Sequence, residues 1–117
     1  MTDVLDRRVL EGLSDSVGGD REFYVELIDE FLVDAPRQLQ TLRDGAIAGD
    51  AETTRRAAHT LKGNGRTFGA TELASLFQEV EAAAANGDLD PALSRSAEIS
   101  DAWERVRAAL VAERDGI

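Results

Sequence analysis

Apolar residues recur three or four positions apart in four long segments of this chain, and nowhere do they alternate as in a half-buried strand. The first segment predicts a helix from about Asp20 to Ile47, with Phe23, Leu27, Phe31, Ala35, Leu39, Leu42 and Ala46 facing inward. Gly18 and Gly19 precede it, Asp20 is a candidate N-cap, and Pro36 removes one backbone donor, which predicts a kink or local break rather than two separate helices. Gly49 closes this helix and Asp50 opens a second, running to about Gly65 with Ala51, Thr54, Ala58 and Leu61 inward. A third begins near Thr71, packs through Leu73, Leu76, Phe77, Val80 and Ala84, and stops at Asn86-Gly87. The fourth opens at Asp90-Pro91, read as an N-cap followed by proline in the first helical position, and continues through Leu93, Ala97, Trp103, Val106 and Leu110. A shorter apolar stretch, Val4 to Leu13, predicts a leading helix lying across one end.

Connections of a few residues between successive helices favour antiparallel neighbours. The expected fold is therefore all-α: an antiparallel up-down four-helix bundle with a short additional N-terminal helix. The 117 residues suit a single domain over 1–117, with the bundle core about 20–112.

Charge and composition narrow the function. Thirteen Lys and Arg against 23 Asp and Glu give a net charge of −10, which disfavours nucleic acid and anionic membrane surfaces as partners. The chain has no cysteine and one histidine, so it lacks a thiol nucleophile and the ligands of a typical catalytic metal centre. No phosphate-cradling glycine loop follows a strand, which excludes nucleotide binding of the kinase type. No window approaches the ~20 apolar residues of a membrane span. The expectation is a cytoplasmic, monomeric protein.

The informative segment is Arg55-Arg56-Ala57-Ala58-His59-Thr60-Leu61-Lys62-Gly63-Asn64-Gly65-Arg66. It holds the only histidine and the only lysine, three residues apart and so on one helical face. Leu61 lies about 200° around the helix from His59, so a buried Leu61 turns the imidazole to solvent. Gly63 falls one turn after His59, where a side chain is expected to crowd the ring. Two glycines in this stretch cost about 1 kcal/mol each relative to alanine, which leaves helix termination or clearance as reasons for them. Residues 51–66 carry four basic side chains and one acidic, a local +3 against −13 elsewhere. Such a patch around one exposed imidazole suits a phosphoryl group, with its two negative charges and three acceptor oxygens. Taken singly, Lys62 reads as a solvated lysine, Glu81 as a solvated carboxylate, and Arg55, Arg56 and Arg66 equally as surface ion-pair partners.

Ala58-His59-Thr60-Leu61-Lys62-Gly63, with Phe68-Gly69-Ala70, Leu73-Ala74 and the upstream Phe31-Leu32-Val33-Asp34-Ala35-Pro36, resembles the signature of histidine-containing phosphotransfer (HPt) domains. The resemblance spans about residues 20–87. It implies that His59 takes a phosphoryl group from a receiver-domain aspartate or a hybrid histidine kinase and passes it to another aspartate. Lys62 would steady the phosphoryl oxygens and Gly63 would leave room for the receiver. Glu81, with Gln78 one turn earlier as support, would hydrogen-bond the non-reacting imidazole nitrogen. The resemblance implies no cofactor on this chain, the divalent metal belonging to the receiver. It also implies docking over His59 and an apolar patch on the first helices, with Phe23, Leu27, Glu30 and Asp34 as candidates beside Arg55 and Arg66. Asn64-Gly65 departs from the small residues the family favours there, and the role of Asn64 is open. The rival readings are a bundle that binds or sequesters a receiver without transfer, and a purely structural, oligomerising bundle.

Overall fold

The computed structural model describes residues 4–116. Six helices follow in order: α1 Arg7–Ser16, α2 Arg21–Ile47, α3 Ala51–Thr67, α4 Thr71–Ala85, α5 Asp90–Ser94 and α6 Ser96–Asp115. There is no strand among the described residues. The outermost positions of the expected 1–117 domain, 1–3 and 117, lie outside them.

Local chemistry explains the starts and stops. Asp6, Asp20 and Asp50 each accept a backbone N–H of the first turn of α1, α2 and α3, satisfying donors that have no helical partner. At the end of α3, Ala70 donates to the Gly65 carbonyl and Gly69 to that of Arg66, a Schellman closure that requires the left-handed φ of +72° at Gly69.

Four helices pair antiparallel, because contacting residue numbers rise along one as they fall along the other. His59 meets Glu81 and Lys62 meets Gln78 between α3 and α4. Phe31 meets Phe68, and Gly45 meets Thr54, between α2 and α3. Asp29 with Arg114 and Arg43 with Ser100 tie α2 to α6, and Glu72 with Arg105 ties α4 to α6. Each of α2, α3, α4 and α6 thus has two antiparallel neighbours around one core. That core includes Ile28, Phe31, Leu42, Leu61, Leu73, Phe77, Val80, Trp103 and Leu110. The Phe31 ring stacks on Phe68 at 5.0 Å and meets Trp103 edge-on at 5.5 Å, so one aromatic group knits α2, α6 and the end of α3.

Several expectations need correction. The leading helix begins at Arg7 rather than Val4; Leu10 is its buried anchor, Leu5 is buried just ahead of it, and Val4 is exposed. In α2 the core stripe runs through Tyr24 and Ile28, leaving Phe23 46% exposed and Leu27 half-buried. Helix α2 is, as expected, one helix and not two across Pro36, an exposed position. In α3, Ala57 is buried and Ala51 only partly so. The expected fourth helix is two, α5 and α6, interrupted at Arg95, whose guanidinium binds Glu79 and Glu98. The interruption shifts the buried stripe to Ala92, Ile99 and Ala102, and Leu93 and Ala97 face outward. Asp90 is the first residue of α5 and not its cap; the Asp88 carboxylate accepts the Asp90 N–H.

Candidate functional site

His59 is the ninth of the 17 residues of α3. Leu61 is 1% exposed and Ala58 fully buried, and their anchoring turns the opposite face of the helix, with the imidazole, outward. The His59 side chain is 63% exposed. Its Nδ1 lies 2.9 Å from Glu81 Oε2 on α4. An ionised carboxylate can only accept, so Nδ1 carries a proton, and in the neutral ring the lone pair is then on Nε2. The ring is held from one nitrogen and open at the other.

Burial alone would push the Glu81 carboxyl up. The contacts from Lys62 and His59 outweigh burial and hold it below the ordinary glutamate range, so it is an anion at neutral pH. Its second oxygen, Oε1, lies 2.6 Å from the Lys62 ammonium. That approach is an ion-pair contact rather than a well-directed hydrogen bond; the directed N–H of Lys62 goes to Gln78 Oε1 at 3.1 Å. One carboxyl group thus separates the ammonium from the imidazole.

The solvated lysine of the sequence reading needs correction. The Lys62 side chain is 13% exposed, lying along α4 with its charge engaged. Gln78 supports Lys62 and makes no bond to the imidazole. A Cβ on Gly63 would meet nothing within 4 Å, so a methyl group there does not crowd the ring in the free protein. Nor do Gly63 and Gly65 terminate the helix, which runs on to Thr67. Gly65 is buried against α4, where an added Cβ would lie 3.5 Å from that of Ala74. Asn64 does not cap the helix; it lines a surface groove between α2 and α3.

Leu27, Glu30 and Asp34 line that same groove with Val33, Thr67 and Phe68, while Phe23 is not part of it. Sequence periodicity missed Val33 and Thr67; the signal for Val33 was a large apolar residue off the core stripe, and it is 57% exposed. Arg55 and Arg56 share Glu52 as their partner, at 2.7 and 3.6 Å. Arg66 is exposed and makes no ion pair among the described residues. The cationic patch around His59 is therefore narrower than the +3 count suggests. No cluster of three metal-ligating side chains occurs among the described residues.

A bundle that presents one imidazole from mid-helix, with a carboxylate behind it and a lysine one turn on, has the arrangement of a histidine phosphotransfer domain. The chain belongs to the Hpt family: the Hpt domain model matches residues 26–109. It is similar to the crystal structure of histidine-containing phosphotransfer protein B (HptB) from Pseudomonas aeruginosa PAO1. Identity is 31% and the TM-score 0.90, over 100% of this chain and 99% of that one. The HPT domain of the Hpt sensor hybrid histidine kinase from Shewanella shares the fold, with a TM-score of 0.77 at 16% identity over 98% and 97% of the chains. No curated protein sequence matches the chain. As a family member it is a histidine phosphocarrier of phosphorelay signalling, without autonomous turnover. No helix among the described residues is long and apolar enough to cross a membrane.

Proposed function

We propose that His59 is the phosphoacceptor and that it exchanges its phosphoryl group with aspartates of response-regulator receiver domains, supplied directly or through a hybrid histidine kinase. The observation that carries this is the 2.9 Å contact of Nδ1 with Glu81 on a ring 63% exposed, which leaves Nε2 as the free nucleophile.

The Nε2 lone pair attacks phosphorus of the aspartyl phosphate. The N–P bond forms, the P–O bond breaks, and the aspartate leaves as a carboxylate. The ring, still protonated on Nδ1, becomes cationic, and the Glu81 carboxylate already lies against that charge. Lys62 steadies the phosphoryl oxygens and Gly63 keeps the approach to Nε2 clear. The divalent metal belongs to the receiver, and this chain needs no cofactor. The receiver covers His59 and the groove at Leu27, Glu30 and Asp34, with Phe23, Arg55 and Arg66 at its margin. The carrier works as a cytoplasmic monomer.

Incubation with a phosphorylated cognate receiver is expected to label the protein with an alkali-stable, acid-labile group that His59→Gln abolishes. Equal labelling of that variant refutes the assignment. Receiver binding without any label identifies a sequestering module instead.

A further inference from the structure

The directed hydrogen bond of Lys62 ends on Gln78, a residue with no part in the transfer step above. At rest the ammonium is held by Glu81 and Gln78 and the Lys62 side chain is 13% exposed, whereas that of His59 beside it is 63% exposed. A phosphoryl group on Nε2 sits on the side of the ring away from Glu81. On the transfer reading, Lys62 turns toward it from Glu81 and Gln78.

Charge balance permits that movement. Before transfer, the ammonium neutralises the Glu81 carboxylate. Once Nε2 bonds phosphorus, the protonated ring is itself a cation in contact with Glu81 Oε2, and the carboxylate no longer needs Lys62. Arg55 is the other cation whose charge couples to Glu81, but two hydrogen bonds of 3.0 and 2.7 Å anchor it on Glu52. Resting on the transfer reading, we infer that Glu81 exchanges one cation for another on phosphorylation, and that Gln78 is the positioning residue that sets how readily Lys62 is released. Weakening the Gln78 contact favours the phosphorylated form; strengthening it favours the empty one.

The chain has one lysine, so its Nζ gives a single, unambiguous resonance. The test uses the full chain, phosphorylated with phosphoramidate. The Lys62 Nζ signal is followed by NMR before and after loading, and phosphohistidine hydrolysis is timed for the wild type, Gln78→Met and Gln78→Glu. Loading is expected to move the Nζ resonance. Gln78→Met, which cannot accept the hydrogen bond, is expected to lengthen the phosphohistidine lifetime about threefold, and Gln78→Glu to shorten it by a similar factor. An Nζ resonance that stays in place on loading overturns the inference and leaves His59 as the acceptor. So do two variants that move the lifetime in the same direction or not at all. Absence of phosphohistidine in every form, with free imidazole phosphorylated in parallel, overturns the transfer reading and this inference together.

Discussion

The main-chain N–H of Asp6 donates to the carbonyl of Gly69 at 2.8 Å, fastening the N-terminal segment onto the turn between α3 and α4. Gly69 adopts a φ of +72°, and a Cβ there would lie 2.8 Å from the Asp6 nitrogen and 2.9 Å from its carbonyl oxygen. Both obstacles are backbone, so relief requires the segment to move. Gly69→Ala is expected to destabilise the fold by about 2 kcal/mol, read as a lowered urea midpoint with an unchanged slope. A wild-type midpoint would show that this tie is slack.

Gly63→Ala is expected to separate stability from transfer. The position is an exposed helix interior with open space around a Cβ, so alanine should raise stability by about 1 kcal/mol. The same methyl group stands one turn from His59 on the approach side and is expected to slow phosphoryl exchange with a receiver. Urea unfolding and single-turnover transfer, measured on one variant, check the two halves. Unimpaired transfer would remove Gly63 from the site.

Glu81→Gln leaves the largely covered Lys62 ammonium without its anion and is expected to cost about 1–3 kcal/mol at pH 7. The folded-state pKa of Glu81 is depressed. Its stabilisation is therefore fully present above the unfolded value of about 4.3 and is lost as pH falls through the lower folded value. The stability gap between wild type and variant should close over that acid range. A gap that persists there would show that shape, and not charge, is what the variant loses.

Tyr24 is the only tyrosine, so its ionisation can be followed alone by ultraviolet absorbance. Burial, then the charge of Glu113 and the 3.2 Å hydrogen bond to it, push its hydroxyl up to about 12. A raised pKa stabilises below the unfolded value of about 10 and ceases to do so as pH climbs through the folded value. The expected titration has its midpoint near 12, moves down in Glu113→Gln, and accompanies alkaline unfolding. A midpoint near 10 in the folded protein would contradict the buried contact.

Phe31→Ala removes the ring between Phe68 and Trp103 and is expected to cost about 3–5 kcal/mol. Trp103 is the only tryptophan, and its fluorescence should report the loss directly.

The α-helices from Asp20 to Ala85, the caps at Asp20 and Asp50 and the exposure of His59 were legible in the sequence, because they depend on short-range spacing. Phase was less so. From Phe31, steps of three or four lead back equally to Leu27 and Phe23 or to Ile28 and Tyr24. Tertiary partners decide between them, and the Tyr24 hydroxyl finds Glu113 on α6, 89 positions away. The break at Arg95 escaped for a similar reason, since its ties to Glu79 and Glu98 include one to another helix. Lys62 looked solvated because its helical face is exposed; its long side chain nevertheless lies down toward α4 and meets Glu81.

His59 stands at the midpoint of a continuous helix, with eight residues of α3 on either side. On the transfer reading, the reactive group is mounted on such a rod with no helix break beneath it, and the described residues leave its side chain 63% exposed. Shielding the migrating group from hydrolysis must then come from whichever protein docks. On the transfer reading, fidelity resides in the transient assembly, and the carrier alone holds its imidazole out on a continuous helix for other molecules to close around.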